Sequence, residues 1–441
     1  MLVVNATLLT FGAKPRIVED GALRIENGVI KDVSTTADLS GRYPAEERLD
    51  ARGKLVMPGL ICAHTHFYGL FARGMSLRVE APASFGQILE HLWWHLDKGL
   101  GEEDILYSAL VCLIDAIRNG TTTLIDHHAS PTAIHGSLAV IAQAVERSGL
   151  RCCLCYELSD RDGPAATQAG LDENARFIAA VDSYRGHLAA TFGLHASLTL
   201  SDETLAQAVQ AARDLDVGFH IHVAEGAEDV QDSLDKYGMR VVERLADRGI
   251  LGPKTIAVHC VHVSDDELRI LKETGTRVVH NPRSNMNNAV GVARVPEMLE
   301  RGIEVGLGND GFSNNMFREM KTAYLLHKLA NRDPRVLGAD QVLEMAMHNN
   351  ASTAALFFPQ PLGELSPGAY ADMVFLDYVP PTPLTVDNLP WHVMFGIDGS
   401  QVSTTIVGGR VLMHNRELTT LDEGAICARA RTLAQAMWKR L

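Results

Sequence analysis

The 441-residue chain has few basic residues for its size. It carries 40 Lys and Arg against 54 Asp and Glu, which gives a formal net charge of −14 at pH 7. This surplus of negative charge repels phosphate backbones and anionic lipids, so we expect no nucleic-acid partner and no membrane partner. The content of hydrophobic residues, 46%, is that of a globular protein.

Long apolar runs and phosphate-binding loops are also lacking. No stretch approaches the roughly 18 apolar residues that a membrane helix needs, and the N-terminal MLVVNATLLTF does not resemble a signal peptide. Neither GxGxxG nor the P-loop pattern occurs. The seven cysteines form no CxxC pair and lie mostly in strand-like runs. We therefore expect reduced core cysteines and a cytoplasmic location.

Both ends of the chain have the pattern of small antiparallel β structure. Short alternating segments separated by Gly, Asn and Asp fill residues 1–57 and return as ADMVFLDY and TTIVGGRVLM. The final stretch, EGAICARARTLAQAMWKRL, has helical spacing. We predict that residues 1–57 and 360–441 together form one small β-sandwich domain around a central domain of residues 58–359.

The central region alternates short apolar runs with amphipathic helical stretches. Eight runs are candidates for strands buried on both faces: 59–66, 121–128, 152–158, 188–196, 217–225, 255–261, 276–281 and 303–310. Helical stretches such as ILYSALVCLIDAIRNG stand between them. Eight β-then-α units predict the α/β class and a (β/α)8 TIM-like barrel, and an open doubly wound sheet is the alternative.

Polar residues cluster where the predicted strands end. Because the carboxyl ends of barrel strands share one rim, these residues would converge there, and a polar core alone explains such a pattern poorly. The set comprises His64, His66, Asp126, His127, His128, His195, His220, His222, Glu225, His259, His280 and Asp310.

A metal site is the first hypothesis for this cluster. His64 and His66 are two residues apart on a strand, so both side chains point to one face. His222 and Asp310 stand at matching heights on other strands. Three neutral imidazoles and one carboxylate suit Zn²⁺ or Fe²⁺.

Several motifs, in this order along the chain, resemble those of the amidohydrolase superfamily: PGLICAHTHF, HVAE, HCVH, HNPRSN and GNDGFSNN. The resemblance covers nearly the whole chain and is to the branch of cytosine, guanine and adenosine-type deaminases and triazine hydrolases. The stretches DHHASP, LWWHLDKGL and HNPRSNMNN are most similar to the aminohydrolase group called SsnA. The resemblance implies the barrel, the split β domain and a hydrolase of carbon–nitrogen bonds other than peptide bonds.

The resemblance also assigns metal ligands. In that family the ligand on strand five is the histidine of HxxE, which is His222 here and not His220. The implied ligand set is therefore His64, His66, His222 and Asp310. No lysine stands at the end of strand four to bridge a second ion. We expect one divalent ion, Zn²⁺ with Fe²⁺ as the alternative.

Catalytic roles follow from the same resemblance. His259, and not His262, takes the catalytic position on strand six, where it can stabilise charge in the tetrahedral intermediate. Asp310 can orient water and accept its proton, and Glu225 can protonate a ring nitrogen and then the leaving group. His195 matches a histidine that contacts substrate.

The sequence departs from the nucleoside deaminases around the substrate. S-adenosylhomocysteine deaminases have arginines after strand three that bind a carboxylate, and Tyr156 and Gly170 stand at the best-matching positions here. The segment SNMNN replaces an SNxKL-type segment. We expect a compact base as substrate. Trp93 and Trp94 could form a wall against an aromatic substrate, and packing in the protein interior is the favoured alternative.

We therefore predict a metal-dependent hydrolase that removes an amino group from a small nitrogen heterocycle of the purine, pteridine, pyrimidine or triazine type. Ring opening of a cyclic amide, or dechlorination or dealkylamination of a triazine, is the alternative chemistry. A metal-binding protein without catalysis is the alternative of another class, and the complete set of predicted site residues argues against it. We expect a homo-oligomer, a dimer or larger.

Overall fold

The computed structural model describes residues 1–76, 80–184 and 186–441. The strands group into three sheets. They are β1 (Leu2–Leu9), β2 (Ile17–Glu26), β3 (Val29–Thr35), β4 (Arg48–Asp50), β5 (Leu55–Pro58), β6 (Leu60–Thr65), β7 (Thr121–His128), β8 (Arg151–Tyr156), β9 (Leu188–Ala190), β10 (Phe192–Ala196), β11 (Phe219–Val223), β12 (Ile256–His259), β13 (Arg277–His280), β14 (Val305–Leu307), β15 (Met373–Leu376), β16 (Val402–Val407), β17 (Arg410–His414) and β18 (Glu417–Leu418).

Helices connect the strands and cover the central sheets. They are α1 (Thr36–Arg42), α2 (Phe85–Ile88), α3 (Trp94–Leu96), α4 (Glu102–Asn119), α5 (Ser137–Ser148), α6 (Pro164–Ala180), α7 (Asp202–Asp214), α8 (Ala227–Tyr237), α9 (Val241–Asp247), α10 (Asp265–Thr274), α11 (Pro282–Asn287), α12 (Val295–Glu300), α13 (Met316–Asn331), α14 (Ala339–Leu343), α15 (Asn350–Ala354), α16 (Leu389–Gly396) and α17 (Glu423–Arg440).

Two parallel sheets form the centre of the molecule. One has the order β6-β7-β8-β9 and the other β10-β11-β12-β13-β14. Their edges meet on both sides: Leu158 and Leu194 form a parallel bridge, and the Asn309 amide donates to the His64 carbonyl at 2.9 Å. All eight predicted strand segments lie in these sheets, with 188–196 divided into β9 and β10. The described residues do not form one continuous ladder around a closed barrel.

Helix α4 shows how the sequence specifies these elements. Three acidic residues fill its first turn, where they face the positive end of the helix dipole, and Gly120 ends it with a φ of 78°. Its apolar positions at helical spacing, among them Leu110, Leu113 and Ile117, are buried in the protein interior. The spacing thus predicts both the helix and the face that it buries.

The third sheet contains nine strands and draws on both ends of the chain. Its order is β18-β17-β16-β15-β5-β1-β2-β3, with β4 paired to β1, so its strands come from residues 2–58 and 373–418. Strands from both ends of the chain therefore pair in one sheet, and the final helix is α17. A second sheet facing this one is not found among the described residues, so the sandwich stays a prediction.

The expectations about membrane helices and cysteines can be compared with the structure of the described residues. Among them, no helix is both long and apolar enough to cross a membrane. All seven cysteines are free, and six are buried. Cys427 is partly exposed and so does not belong to the core.

A buried ion pair joins the central sheets to the nine-stranded sheet. Arg151 at the start of β8 donates through Nε to Asp372 at 3.0 Å and through Nη2 at 3.3 Å, and its side chain is 1% exposed. Its guanidinium lies 3.7 Å from the centre of the Tyr370 ring. The Gly408 amide also donates to Asp372, at 2.7 Å. The Asp372 carboxylate thus links the central sheets to the nine-stranded sheet.

We expect the Asp372→Asn variant to lose about 3–5 kcal/mol of unfolding free energy, because it leaves the Arg151 guanidinium buried without a countercharge. Urea unfolding followed by circular dichroism measures the loss. The matched control is Arg269→Gln, which breaks the exposed pair with Glu273 and should cost less than about 1 kcal/mol. Equal losses in the two variants would contradict this role of Asp372.

Candidate metal and active site

Four predicted ligands converge at the carboxyl ends of the central strands. His64 lies in β6, His66 follows that strand, His222 lies in β11 and Asp310 follows β14. His66 Nε2 lies 3.2 Å from His222 Nε2 and 3.0 Å from Asp310 Oδ1, and His64 Nε2 lies 3.1 Å from the same oxygen. One ligand atom from each residue lies within 4.8 Å of the others. The structure therefore brings together all four residues that the sequence suggested.

The tautomers of His66 and His222 follow from their outer partners. His66 Nδ1 lies 2.6 Å from the His127 carbonyl oxygen, and His222 Nδ1 lies 2.9 Å from the His195 carbonyl oxygen. A carbonyl oxygen only accepts, so each Nδ1 carries the hydrogen. Each Nε2 is then free to present a lone pair to the centre of the cluster, as in metal-bound histidines.

His220 orients His64 from the side away from the ligand cluster. Its Nε2 lies 2.9 Å from His64 Nδ1, and its Nδ1 lies 3.7 Å from Cys155 Sγ. The Cys155 thiol donates to the Asp126 carbonyl oxygen, which leaves the sulfur as acceptor for His220. His220 Nε2 therefore accepts from His64 Nδ1. This places His220 in the interior and directs His64 Nε2 to the cluster.

The cluster requires positive charge at its centre. The Nε2 lone pairs of His66 and His222 face each other and an Asp310 oxygen at about 3 Å, an arrangement that is repulsive without a cation. Burial lowers the pKa of His66, but Asp310 outweighs that effect and raises it to about 9. Three imidazole nitrogens and one carboxylate are the donors of a divalent transition-metal site, so the residues fit such an ion.

Backbone strain accompanies the ends of these strands. Ala224, His259 and Asp310 all have positive φ, of 47°, 71° and 52°. Left-handed conformations are costly for residues with a Cβ and persist where the surroundings hold them. The Asp310 amide is held by the His64 carbonyl at 3.2 Å. The turns place the His259 and Asp310 side chains over the cluster.

Two further groups stand beside the ligands. Glu225 Oε2 lies 3.3 Å from His259 Nε2, which is 3.7 Å from Asp310 Oδ2. His259 Nδ1 is 2.8 Å from Asn285 Oδ1, and the Asn288 amide donates to Glu225 at 3.3 Å. Burial raises the pKa of Glu225 to about 7, although the charge of His259 opposes the shift. A carboxyl group with this pKa can exchange protons near neutral pH.

Three of the four ligands, His66, His222 and Asp310, line one side of a cavity of about 550 Å³, which we call its floor. Its walls come largely from the segment after β6 and include Leu89, Leu92, Trp93 and Trp94, and Phe312 also lines the cavity. Of the two roles that the sequence left open for Trp93 and Trp94, their place in the lining agrees with the one in which they form a wall of the pocket. Flat apolar walls above a polar floor suit a planar ring.

The predicted substrate contacts divide into two groups. His195 lies in β10 and lines the cavity, as do Ser284 and Asn287 of the SNMNN segment. Tyr156 and Gly170, which the sequence analysis matched to the arginine positions of the S-adenosylhomocysteine deaminases, lie against each other and are not among the lining residues.

Glu157 is a cavity residue that the sequence analysis missed. It directly follows β8, is 5% exposed and lines the cavity. Burial would raise its pKa, but the charges of His195 and His127 hold the pKa well below its usual range. The sequence does mark Glu157 as a candidate site residue, because it is the one charged residue in the run CCLCYEL and stands at a strand end.

Three other polar residues near the strand ends lie outside the cavity lining. His127 and His128 are fully buried, and His128 Nε2 lies 2.9 Å from Ser130 Oγ. Arg161 pairs with the buried Asp97 and lies near the Trp94 ring, so it supports the wall from behind.

Comparison with known proteins adds an independent finding. A model of the amidohydrolase family matches residues 55–412. The chain is 35% identical to a 5'-deoxyadenosine deaminase of Methanosarcina mazei over 100% of this chain and 99% of that protein. It is 34% identical to a 5-methylthioadenosine/S-adenosylhomocysteine deaminase of Acetivibrio thermocellus, over 99% of each. An adenosine deaminase from Xanthomonas campestris with bound zinc superposes with a TM-score of 0.86 at 25% identity, covering 99% and 98% of the two chains.

We expect purified protein to hold about one equivalent of divalent metal, because one four-ligand cluster is built and its histidines present lone pairs. Elemental analysis by mass spectrometry measures the content. The His222→Asn variant should retain less than about a tenth of it. The His195→Gln variant changes a cavity residue outside the ligand set and should retain the metal. Two tightly bound equivalents in the unmodified protein would contradict the one-ion site.

Proposed function

The chain belongs to the amidohydrolase family, and from that premise we propose that it removes an amino group from a small nitrogen heterocycle by hydrolysis. The enzyme is thus a hydrolase of a carbon–nitrogen bond. The supporting observation is that Glu225 and His259 stand beside the four-ligand cluster, and that Glu225 and three of the ligands line a cavity with aromatic walls. The named deaminase activities of full-length relatives point to the same reaction.

The ion that we propose is Zn²⁺, with Fe²⁺ as the alternative, held by His64, His66, His222 and Asp310. When bound, such an ion acts as a Lewis acid and lowers the pKa of water to about 7. The mixed nitrogen and oxygen donors and the outer hydrogen bonds of His66 and His222 support this assignment. The zinc in the Xanthomonas relative agrees with it.

The protein groups divide the proton transfers between them. Asp310 Oδ2 accepts a hydrogen bond from Ser284, which holds the carboxylate where it can orient the attacking water and accept its proton. Glu225 in its acid form can protonate the ring nitrogen next to the attacked carbon, and later the departing amine. His259 Nε2 faces Glu225 and Asp310, and a hydrogen on it can stabilise the negative charge that develops on the attacking oxygen.

The walls of the cavity orient the ring of the substrate. Trp93, Trp94 and Phe312 present apolar surface on which a planar ring can lie, so that its edge meets the polar floor. His195 stands at the same level as the ligands and can bond a ring heteroatom. Attack on a C=N carbon that carries an exocyclic amine then gives a tetrahedral centre, from which ammonia leaves.

We also propose the domain division that the sequence suggested, with residues 58–359 as a closed (β/α)8 barrel and residues 1–57 with 360–441 as a small β-sandwich domain. The origin of the nine-stranded sheet in the two chain ends supports the division. The edge contacts between the two parallel sheets support closure.

A homo-oligomer, dimer or larger, is a further part of the proposal. Large apolar side chains are exposed on the neighbouring helices α13 and α16, with Leu325 at 61%, Leu329 at 78% and Phe395 at 69%. Contiguous apolar surface of this kind is typical of subunit contacts. The net charge of −14 supports a small-molecule substrate and argues against nucleic acid.

Glu225→Gln should retain the metal and lose about 10²–10⁴-fold in kcat, because the amide cannot transfer the proton. Steady-state kinetics with metal analysis of the same samples checks this. The matched control is Glu228→Gln, an exposed glutamate three residues further on, whose kcat should stay unchanged. Near-normal turnover of Glu225→Gln would remove that residue from the mechanism.

Active substrates should release one ammonia per molecule turned over. A panel of aminated purines, pteridines, pyrimidines and triazines, followed by a coupled dehydrogenase assay and by mass spectrometry of the product, measures this. Deamination replaces NH with O, whereas ring opening adds a whole water to the molecule. A product with an added water and no released ammonia would contradict deamination.

A further inference from the structure

The Glu157 carboxylate stands in the cavity without a role in the proposed chemistry. Its backbone amide donates to the His128 carbonyl oxygen at 2.7 Å, which fixes the residue at the end of β8. Its Oε2 lies 3.1 Å from His127 Nδ1, and its Oε1 lies 3.6 Å from His195 Nε2. The side chain is 97% buried, and the cavity is the space that it faces.

The protein engages one of the two carboxylate oxygens. His127 Nε2 lies 3.1 Å from the carbonyl oxygens of Leu194 and His220, and both are acceptors. His127 Nδ1 faces the carboxylate, so each ring nitrogen has an acceptor and each carries a hydrogen. The Nδ1 hydrogen goes to Glu157 Oε2. Oε1 is therefore the oxygen that is left for a molecule in the cavity.

His195 lies beside Oε1. Its Nδ1 lies 2.6 Å from Thr199 Oγ1, which is 3.3 Å from the Ala196 carbonyl oxygen. The contact to His195 is the shorter of the two, so the Thr199 hydroxyl donates to Nδ1 and the hydrogen of the imidazole is on Nε2. Glu157 Oε1 is therefore the acceptor at this edge of the cavity, and His195 Nε2 is a donor beside it.

Glu157 Oε1 needs a donor from the cavity. A carboxylate oxygen that stays unpaired away from water costs free energy, and a ligand N–H would satisfy it. Arg161 is bound to Asp97 and does not line the cavity, and Arg283, which does line it together with Arg73, is bound to Glu319. The Glu157 carboxylate therefore disfavours a carboxylate at this part of the ligand and favours an N–H.

We propose that Glu157 and His195 form a recognition edge that selects heterocycles with a lactam or amidine-type N–H on the side away from the attacked carbon. This rests on the proposed function, because it assumes that the heterocycle lies on the ligand cluster. The substrate class that follows is an amino-substituted oxo-heterocycle, such as an aminated purine or pteridine lactam. Heterocycles with only bare ring nitrogens at that edge leave Glu157 Oε1 unpaired and bind weakly.

The test measures binding without turnover. Xanthine carries lactam N–H groups and no exocyclic amine, so its affinity for the metal-loaded enzyme can be compared by calorimetry with those of its 1-, 3- and 7-methyl derivatives. At least one methylation should weaken binding by about 10- to 100-fold, the range for one hydrogen bond to a charged group. This comparison uses the unmodified protein and so does not depend on any variant folding.

The variant Glu157→Gln localises the effect. Its amide oxygen stays with His127 and its NH₂ group replaces Oε1, so xanthine should bind about 10- to 100-fold more weakly and the methylation penalty should fall to about 3-fold or less. The matched control is Glu173→Gln, which alters a fully buried glutamate that accepts from the Gly136 and Leu138 amides outside the cavity. Its methylation penalty should equal that of the unmodified protein.

Three results would overturn the proposal: an unmodified enzyme that does not bind xanthine, methylations without penalty, or a penalty that persists in Glu157→Gln. Each of them leaves the proposed deamination intact if ammonia is released from any heterocycle of the panel. Absence of ammonia together with the expected binding pattern would instead reject the deamination and retain the recognition edge.

Discussion

The placement of three hydrogens controls the whole site. The Nδ1 hydrogens of His66 and His222 are held by the carbonyl oxygens of His127 and His195, and that of His64 is held by a buried imidazole. Because each hydrogen is held outside the cluster, three Nε2 lone pairs point inward. The barrel strands supply these acceptors, so the fold sets the tautomers as well as the positions of the ligands.

Ionisable groups are concentrated at this rim in carboxylate–imidazole contacts. Glu157 faces His127 at 3.1 Å, Glu225 faces His259 at 3.3 Å and an Asp310 oxygen lies 3.0 Å from a ligand imidazole. Isolated charges in such a water-poor cavity would be strongly destabilising, whereas paired ones are tolerated. The pairing keeps the groups ionisable without unfolding the rim, and the strained turns hold the members of each pair at working distance.

Chemistry and selectivity lie on different parts of the cavity. The floor is built from the ends of the parallel strands, which are rigid and set the ligand positions. The walls come from the segment after β6, which supplies Trp93 and Trp94, and the edge on the side of β8 comes from Glu157. In barrels of this kind the loops vary and the strand ends persist, so a change at β8 can alter the substrate and leave the hydrolysis unchanged.

The sequence by itself determined the eight β-then-α units, the ends that combine into one sheet and the candidate ligands. The units and the candidate positions depend on local periodicity and on the rule that parallel strands end at one rim, so His64, His66 and Asp310 could be named in advance. The choice of His222 over His220 came from the family resemblance. The tertiary structure alone decided that Trp93 and Trp94 line the cavity and that Glu157 enters it. The reason is physical: the direction of a side chain at a strand end depends on strand tilt and on the turn that follows, and its hydrogen-bond partners lie about 30 to 90 residues away along the chain. Contacts over such distances in sequence leave no periodic signal for local reasoning to detect.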